Sequence, residues 1–245
     1  MKTTCEILER IQKNSTEHKD GVYTRLYRYL LREDIYYVAY QRLYSNKGAT
    51  NKGATTKGVD NDTADGFGQV YVQELITQLR NGTYKPKPSR RVYIEKSNGK
   101  MRPLSIPSFR DKLLQEVVRM FLEAIYEPIF SDYSHGFRPN RSCHSALKQA
   151  KIYFTGAKWF VEGDIKACFD SFDHAVLIRI LRKRIEDEAF LNLIWKFLKA
   201  GYMEQWTYHE TYSGSPQGSG VSPILANIYL NELDEFMARM KKRVR

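Results

Sequence analysis

The sequence predicts an α+β fold, and three observations carry that prediction. Apolar residues recur at helical spacing in several segments of the 245-residue chain, alternating segments read as strands, and 42% hydrophobic residues suffice for a sizeable core. Lys and Arg outnumber Asp and Glu by 39 to 28, a formal charge of +11, which is the balance of a protein whose partner is a polyanion such as nucleic acid. The 17 Tyr, 12 Phe and 3 Trp add surface on which bases can stack, although most of it belongs to the core. Cys5, Cys143 and Cys168 are widely spaced and contain no Cys-x-x-Cys pair, so neither a disulfide framework nor a zinc site is indicated. That usage suits a reducing, cytoplasmic setting. No segment approaches the ~18 apolar residues of a membrane span, and the first 20 residues contain no apolar leader, so no membrane partner is expected.

Taken in order, Val22 to Tyr44 predicts two helices, with Asp34 as the cap between them and Tyr36, Tyr37, Tyr40 and Tyr44 on a packing face. Residues 45–63 repeat Asn-Lys-Gly-Ala-Thr in tandem and read as a flexible surface loop. A helix over Gly68 to Arg80 stops at Asn81-Gly82. Between Tyr84 and Arg119 ten Lys or Arg stand against three acids, and within this stretch Arg90 to Lys96, a Ser97-Asn98-Gly99 turn and Met101 to Ile106 form a hairpin. The helix from Asp111 to Tyr126 carries its apolar residues on one face, and Pro128 closes it. "SDYSHGFRPNRSCHSAL" is a turn-rich lead into another helix, with Arg138 and Arg141 placed to reach an anion. Lys158 to Ala167 reads as a strand, Asp173 as the cap of the helix behind it, and Glu188 to Lys199 as a further helix ending before Gly201. "YMEQWTYHETY" reads as strand, "SGSPQGSGVSP" as a glycine-rich loop, and Ser222-Pro223 as the start of a last helix.

The chemistry concentrates in "WFVEGDIKACFDSFDH". An aspartate near a strand end, here Asp164, with the aromatic Phe169 five residues on, can present a carboxylate to Mg²⁺, an ion commonly held by one or two carboxylates plus substrate phosphates. The competing reading is a structural aspartate that caps the following helix. The "SPQGSG" loop could let backbone approach a nucleotide, and Lys96 and Arg102 on opposite hairpin strands could clasp a triphosphate, although basic hairpins are often only solvated.

In order, "RRVYIEKSNGKMRPLSIPS", "YSHGFRPNRSCHSALK", "WFVEGDIKACFDSFDH" and "YSGSPQGSGVSPILANIYLNELD" resemble the first four blocks of group II intron-encoded, LtrA-like reverse transcriptases and maturases. Residues Ile7 to Ala49 resemble the N-terminal extension of that family, so the likeness covers essentially the whole chain. It implies a helical extension over 1–83, fingers over 84–155 and an incomplete right-hand palm over 156–245. By the same likeness Asp164 is the first catalytic carboxylate, joined at the metal by the Ile165 carbonyl, and Phe169 excludes a nucleotide 2′-hydroxyl. Gln217 lines the incoming nucleotide site, while Lys96 and Arg102 bind its triphosphate. Lys85, Lys87, Arg90, Arg91, Arg138 and Arg141 are the expected RNA contacts, and the His135 to Pro139 block is structural with template contact as a further role. The implied cofactor is Mg²⁺. The implied partners are group II intron RNA, a DNA target or primer and deoxynucleotides, with a second copy or a complementing C-terminal polypeptide as further candidates.

No Asp-Asp pair occurs in the chain, although the family carries a Tyr-x-Asp-Asp hairpin after this last helix. The resemblance therefore implies a chain that stops inside the palm, with half of its metal site. On this reading the protein belongs to an RNA-directed DNA polymerase that is also an intron maturase. The alternative is a non-catalytic RNA-binding splicing cofactor.

Overall fold

The computed structural model describes residues 2–45, 56–60, 62–95, 97 and 99–243. Lys96 and most of the 45–63 loop lie outside the described residues. Helix α1, Thr4–Glu17, is an element the pattern reading above does not include, yet its signal was present: Thr3 and Glu6 form a reciprocal capping box, and Ile7, Leu8 and Ile11 make its buried face.

Helix α2, Asp34–Ser45, starts on the aspartate expected to cap it. The Asp34 carboxylate accepts hydrogen bonds from the Thr4 backbone and hydroxyl at 3.0 and 2.7 Å, so it ties α2 to α1. The helix expected ahead of it is not formed; only a short 3₁₀ turn, Tyr27–Leu31, is present. Its backbone groups find remote partners instead, since Tyr23 donates its N–H to the Arg184 carbonyl at 2.8 Å and Glu186 donates back to Tyr23 at 3.0 Å. A segment whose amides are satisfied across the fold has no need of helical bonds.

Helix α3, Gln69–Arg80, matches its prediction, and strands β1, Ser89–Glu95, and β2, Met101–Ile106, form the expected hairpin in a register that pairs Arg90 with Ile106 and Glu95 with Met101. Helix α4, Phe109–Tyr126, begins at its Ser108 cap and is buried on nearly every side, not on one face. A helix so enclosed must satisfy its polar residues internally. Gln115 accepts from Ser219 at 3.0 Å, Glu116 pairs with Arg119 at 2.7 Å, and Lys112 donates to the Thr56 carbonyl at 2.7 Å.

Helix α5 is Cys143–Tyr153 and the one-turn α6 is Cys168–Ser171. Helix α7, His174–Arg182, is capped as expected by Asp173, which accepts from Val176 N–H at 2.8 Å, and α8, Glu188–Lys199, is capped by Asp187. "YMEQWTYHETY" is not one strand but two, β3, Tyr202–Glu204, and β4, Thr207–His209. Gln205 and Trp206 turn the chain at φ of 48° and 67°, and Trp206 is 97% exposed. Left-handed conformations at both central positions characterise a tight hairpin turn that Asn and Gly normally occupy. Helix α9 is Ser222–Arg243.

The strands form one sheet in the order β2-β1-β3-β4, with β1 parallel to β3 through Ser89 and Tyr202 and the other pairs antiparallel. A continuous apolar cluster runs from Ile7 of α1 through α4 to Ile228 of α9 and fastens the helices to one another. Among the described residues no helix is long and apolar enough to cross a membrane.

The strand expected over Lys158 to Ala167 is a correction. The segment has no regular secondary structure and no ladder partner among the described residues, and Trp159, Phe160 and Val161 are 91%, 72% and 100% exposed. Alternating, β-branched and aromatic residues favour a pleated ladder, but a strand forms only where a second backbone pairs with it.

Candidate functional site

The site is built on the loop between β4 and α9. Two glycines let it run against backbone from both sides. A Cβ on Gly214, at φ +70°, would sit 2.3 Å from the Phe169 carbonyl oxygen, and one on Gly218, at φ +108°, would sit 2.4 Å from the Ser105 carbonyl oxygen. The close approach is used for hydrogen bonds: Ser105 of β2 donates its N–H to the Gln217 carbonyl at 2.6 Å, and Ser215 donates to the Phe169 carbonyl at 2.6 Å. Gln115 of the central helix accepts from the Ser219 hydroxyl and the Gly220 N–H. Ser222, at the start of α9, bonds to the Ser215 hydroxyl and donates to the Pro216 carbonyl at 3.0 Å.

Held this way, the Gln217 side chain bridges two elements. Its Oε1 accepts from Arg102 Nε at 2.9 Å, and its Nε2 donates to Asp170 Oδ2 at 3.1 Å. These two bonds fix which end of the amide faces the hairpin, because only the oxygen can accept from arginine. The sequence placed Arg102 and Gln217 in one site but gave Asp170 no role in it; the i+6 spacing from Asp164 carries no signal for such a contact.

Phe169 is half-buried, with the Phe137 ring edge-on at 6.0 Å. Asp164 and Ile165 lie in the solvent-facing irregular segment, Ile165 at 49% exposure. Burial pushes the Cys168 thiol pKa up, and the Asp164 charge adds to the effect. Among the described residues no group of three or more His, Cys, Asp or Glu converges to hold a metal. To hold such an ion, Asp164 and the neighbouring Ile165 carbonyl would need other donors, such as substrate phosphates.

The predicted RNA contacts divide by what they already touch. Lys85 is exposed, Lys87 pairs with Asp60 at 2.8 Å, and Arg90 donates to the Lys57 carbonyl at 2.8 and 3.1 Å. The Arg91 guanidinium lies 3.5 Å above the Tyr202 ring centroid. Arg141 pairs with the exposed Asp132 at 3.2 Å. Arg138 differs, for it is 8% exposed and spends its donors on Glu127 and on the Ser131 and Ser134 carbonyls at 2.6 and 2.8 Å. Its geometry is that of an internal clamp. His135, likewise, is held between Ser145 and Gln149 at 2.8 and 2.6 Å.

One buried histidine supports the same loop. His174 is 2% exposed, and its Nε2 lies 2.6 Å from the Gly214 carbonyl, so in the neutral ring Nε2 carries the proton and Nδ1 is left buried without a partner. Burial lowers its pKa, and Lys199 adds to the shift, against the opposing effects of the Gly214 bond and Asp173.

Comparison with known proteins places this geometry. The family profile "Reverse transcriptase (RNA-dependent DNA polymerase)" matches residues 86–243. The chain is 62% identical over 244 residues to the group II intron-encoded protein LtrA of Lactococcus lactis subsp. cremoris, covering 99% of this chain and 40% of that protein. It is 46% identical over 242 residues to the uncharacterized 91 kDa protein in cob intron of Schizosaccharomyces pombe, covering 98% of this chain and 29% of that one. Among solved structures, a partial Cas6-RT-Cas1–Cas2 complex aligns with a TM-score of 0.54 at 21% identity, over 87% of this chain and 35% of that chain, and so shares the fold. The chain thus spans less than half the length of these relatives.

Proposed function

The chain belongs to the reverse transcriptase (RNA-dependent DNA polymerase) family, and from that premise we propose that it serves RNA-directed DNA synthesis and intron splicing by a group II intron protein. The observation that carries the proposal is the Arg102–Gln217–Asp170 bridge, which joins the basic hairpin to the Pro-Gln-Gly loop beside Phe169. Reverse transcriptases as a family use divalent metal ions; here the ion is Mg²⁺, with Asp164 and the Ile165 carbonyl as its ligands from this chain. Mg²⁺ at that position supplies charge stabilisation to nucleotidyl transfer.

The chain's own residues bind and orient. Arg102 gives Nε to Gln217 and turns its remaining N–H groups to a deoxynucleotide triphosphate, together with Lys96. Gln217, with both ends of its amide held, lines the nucleotide site, and Phe169 excludes the 2′-hydroxyl. Lys85, Lys87, Arg90, Arg91 and Arg141 grip intron RNA and the template–primer by phosphate contact, in a cytoplasmic setting. The regions 1–83, 84–155 and 156–245 act as extension, fingers and palm. A second reading, a splicing cofactor that binds RNA without chemistry, draws on the basic hairpin alone.

The test is RNA binding by the purified chain across salt concentrations, with nucleotide binding followed in parallel. Each phosphate neutralised steepens the salt dependence by about 0.9 in log–log slope on a duplex and about 0.7 on a single strand. Salt-sensitive RNA binding together with weakened deoxynucleotide binding in Arg102→Ala supports the polymerase reading. RNA binding with no deoxynucleotide binding favours the splicing cofactor, and RNA binding indifferent to salt refutes the electrostatic account.

A further inference from the structure

The loop that carries Gln217 is hung between two parts of the fold. Its first half is fastened to the segment around α6. Gly214 N–H donates to the Phe172 carbonyl at 2.8 Å, Ser215 N–H to the Phe169 carbonyl at 2.6 Å, and the Ser213 hydroxyl to the Asp170 carbonyl at 2.9 Å. Its second half is fastened to the continuous run of β2 and α4. Ser105 N–H of β2 reaches the Gln217 carbonyl, and Gln115 of α4 accepts from the Ser219 hydroxyl at 3.0 Å and from the Gly220 N–H at 3.3 Å. A backbone N–H can only donate, so it is the amide oxygen of Gln115 that faces the loop.

Gln115 is 6% exposed, in a helix whose neighbouring Leu113, Leu114, Val117 and Val118 are apolar and wholly buried. An amide enclosed there costs stability unless it is bonded, and an apolar side chain would fill the place without that cost. The bonds that offset the cost go to Ser219 and Gly220, just past Gln217. Arg102, on the same β2–α4 run, donates to Gln217 Oε1 at 2.9 Å. One stretch of chain thus supplies the cation that Gln217 meets and the two brackets, Ser105 and Gln115, that keep the loop within its reach. Of the two brackets only Gln115 acts through its side chain. We infer that Gln115 is a positioning residue for the incoming nucleotide: through Ser219 and Gly220 it sets where the loop holds Gln217 between Arg102 and Asp170. The inference rests on the nucleotide-binding reading above and adds to it a residue of the central helix.

Gln115→Met keeps the length of the side chain and removes the acceptor. In a fluorescent-deoxynucleotide titration with Mg²⁺ it weakens binding about three- to tenfold, the effect of one or two hydrogen bonds lost at the loop. Ser219→Ala removes one of the two donors and gives a smaller loss, whereas Gln115→Glu, which keeps an oxygen toward both donors, binds within about twofold of native. A double-mutant cycle separates positioning from stability alone. In a Gln217→Ala background Gln115→Met changes nucleotide binding by less than about twofold, because the side chain it would place is gone. RNA affinity and its salt slope stay native in Gln115→Met. Equal losses with and without Gln217, or a parallel loss of RNA binding, assign the effect to the fold as a whole and overturn the inference. Native-like nucleotide binding by both Gln115→Met and Ser219→Ala overturns it too. Failure of the unaltered chain to bind deoxynucleotide overturns the polymerase reading instead. Amide hydrogen exchange then decides the bracket: Gly220 N–H exchanges faster in Gln115→Met if Gln115 holds the loop, and at the native rate if it does not.

Discussion

Replacing Gly218 by Ala tests whether the Pro-Gln-Gly loop is fixed by close backbone approach. The added methyl would lie 2.4 Å from the Ser105 carbonyl oxygen and 3.0 Å from a Leu104 methyl, at a φ of +108° that L-residues rarely adopt. The backbone term alone costs about 1–3 kcal/mol. The steric term has two outlets. If the loop stays in place, overpacking against β2 adds about 1–3 kcal/mol. If it moves away, the 2.6 Å bond from Ser105 N–H to the Gln217 carbonyl is lost, at about 1 kcal/mol. The smaller cost wins, so the expected loss is about 2–4 kcal/mol. For a chain of this size each kcal/mol lowers Tm by about 2–4 °C, which gives a fall of about 4–16 °C in a thermal melt. Gly220→Ala is the internal control, because its Cβ meets nothing within 4 Å and its φ is not positive. Equal melting of the two variants would refute the close-approach account.

Three further outcomes are expected. Asp170→Ala frees the Gln217 amide and weakens deoxynucleotide binding about two- to tenfold in a fluorescent-nucleotide titration, whereas Asp170→Asn, which keeps an acceptor, stays near the native value; indifference to both removes Asp170 from the site. Glu127→Ala leaves the enclosed Arg138 cation with only two carbonyls and destabilises the fold by about 3 kcal/mol in urea, and a loss under 1 kcal/mol would show that the pair is not a structural clamp. His174 has a folded pKa below its ordinary 6.5, so the unfolded chain takes up the proton first and stability falls as pH drops below about 6.5. In His174→Gln that slope flattens, and an unchanged slope assigns the pH dependence to other groups.

The sequence was most legible where local rules and tertiary packing agree. Asp173 and Asp187 stand one residue before helices whose apolar spacing is plain, and both helices form behind them. The β1–β2 hairpin likewise carries its own alternation and turn. It was least legible where the partner is remote. Val22 to Arg25 has helical spacing, but the Tyr23 N–H and carbonyl bond to Arg184 and Glu186, about 160 positions away. Residues 158–167 have strand composition, and composition cannot show whether a second strand is there to pair with it. The site divides in the same way. Arg102 and Gln217 were placed by block resemblance, while Asp170 and His174 act through contacts that no spacing encodes.

The parallel pairing of β1 with β3 joins Ser89 to Tyr202, and the Ser89 N–H donates to the Gly201 carbonyl at 3.0 Å. During synthesis the β1–β2 hairpin and the central helix emerge from the ribosome long before residue 202. At about 5–20 residues per second the hairpin edge stays open for several seconds or more. In that interval β1 presents an unpaired row of N–H and C=O groups in the most basic stretch of the chain, and its arginines and lysines discourage another edge from adding to it. The charge proposed to grip a polyanion in the folded protein is thus also a safeguard for the nascent one.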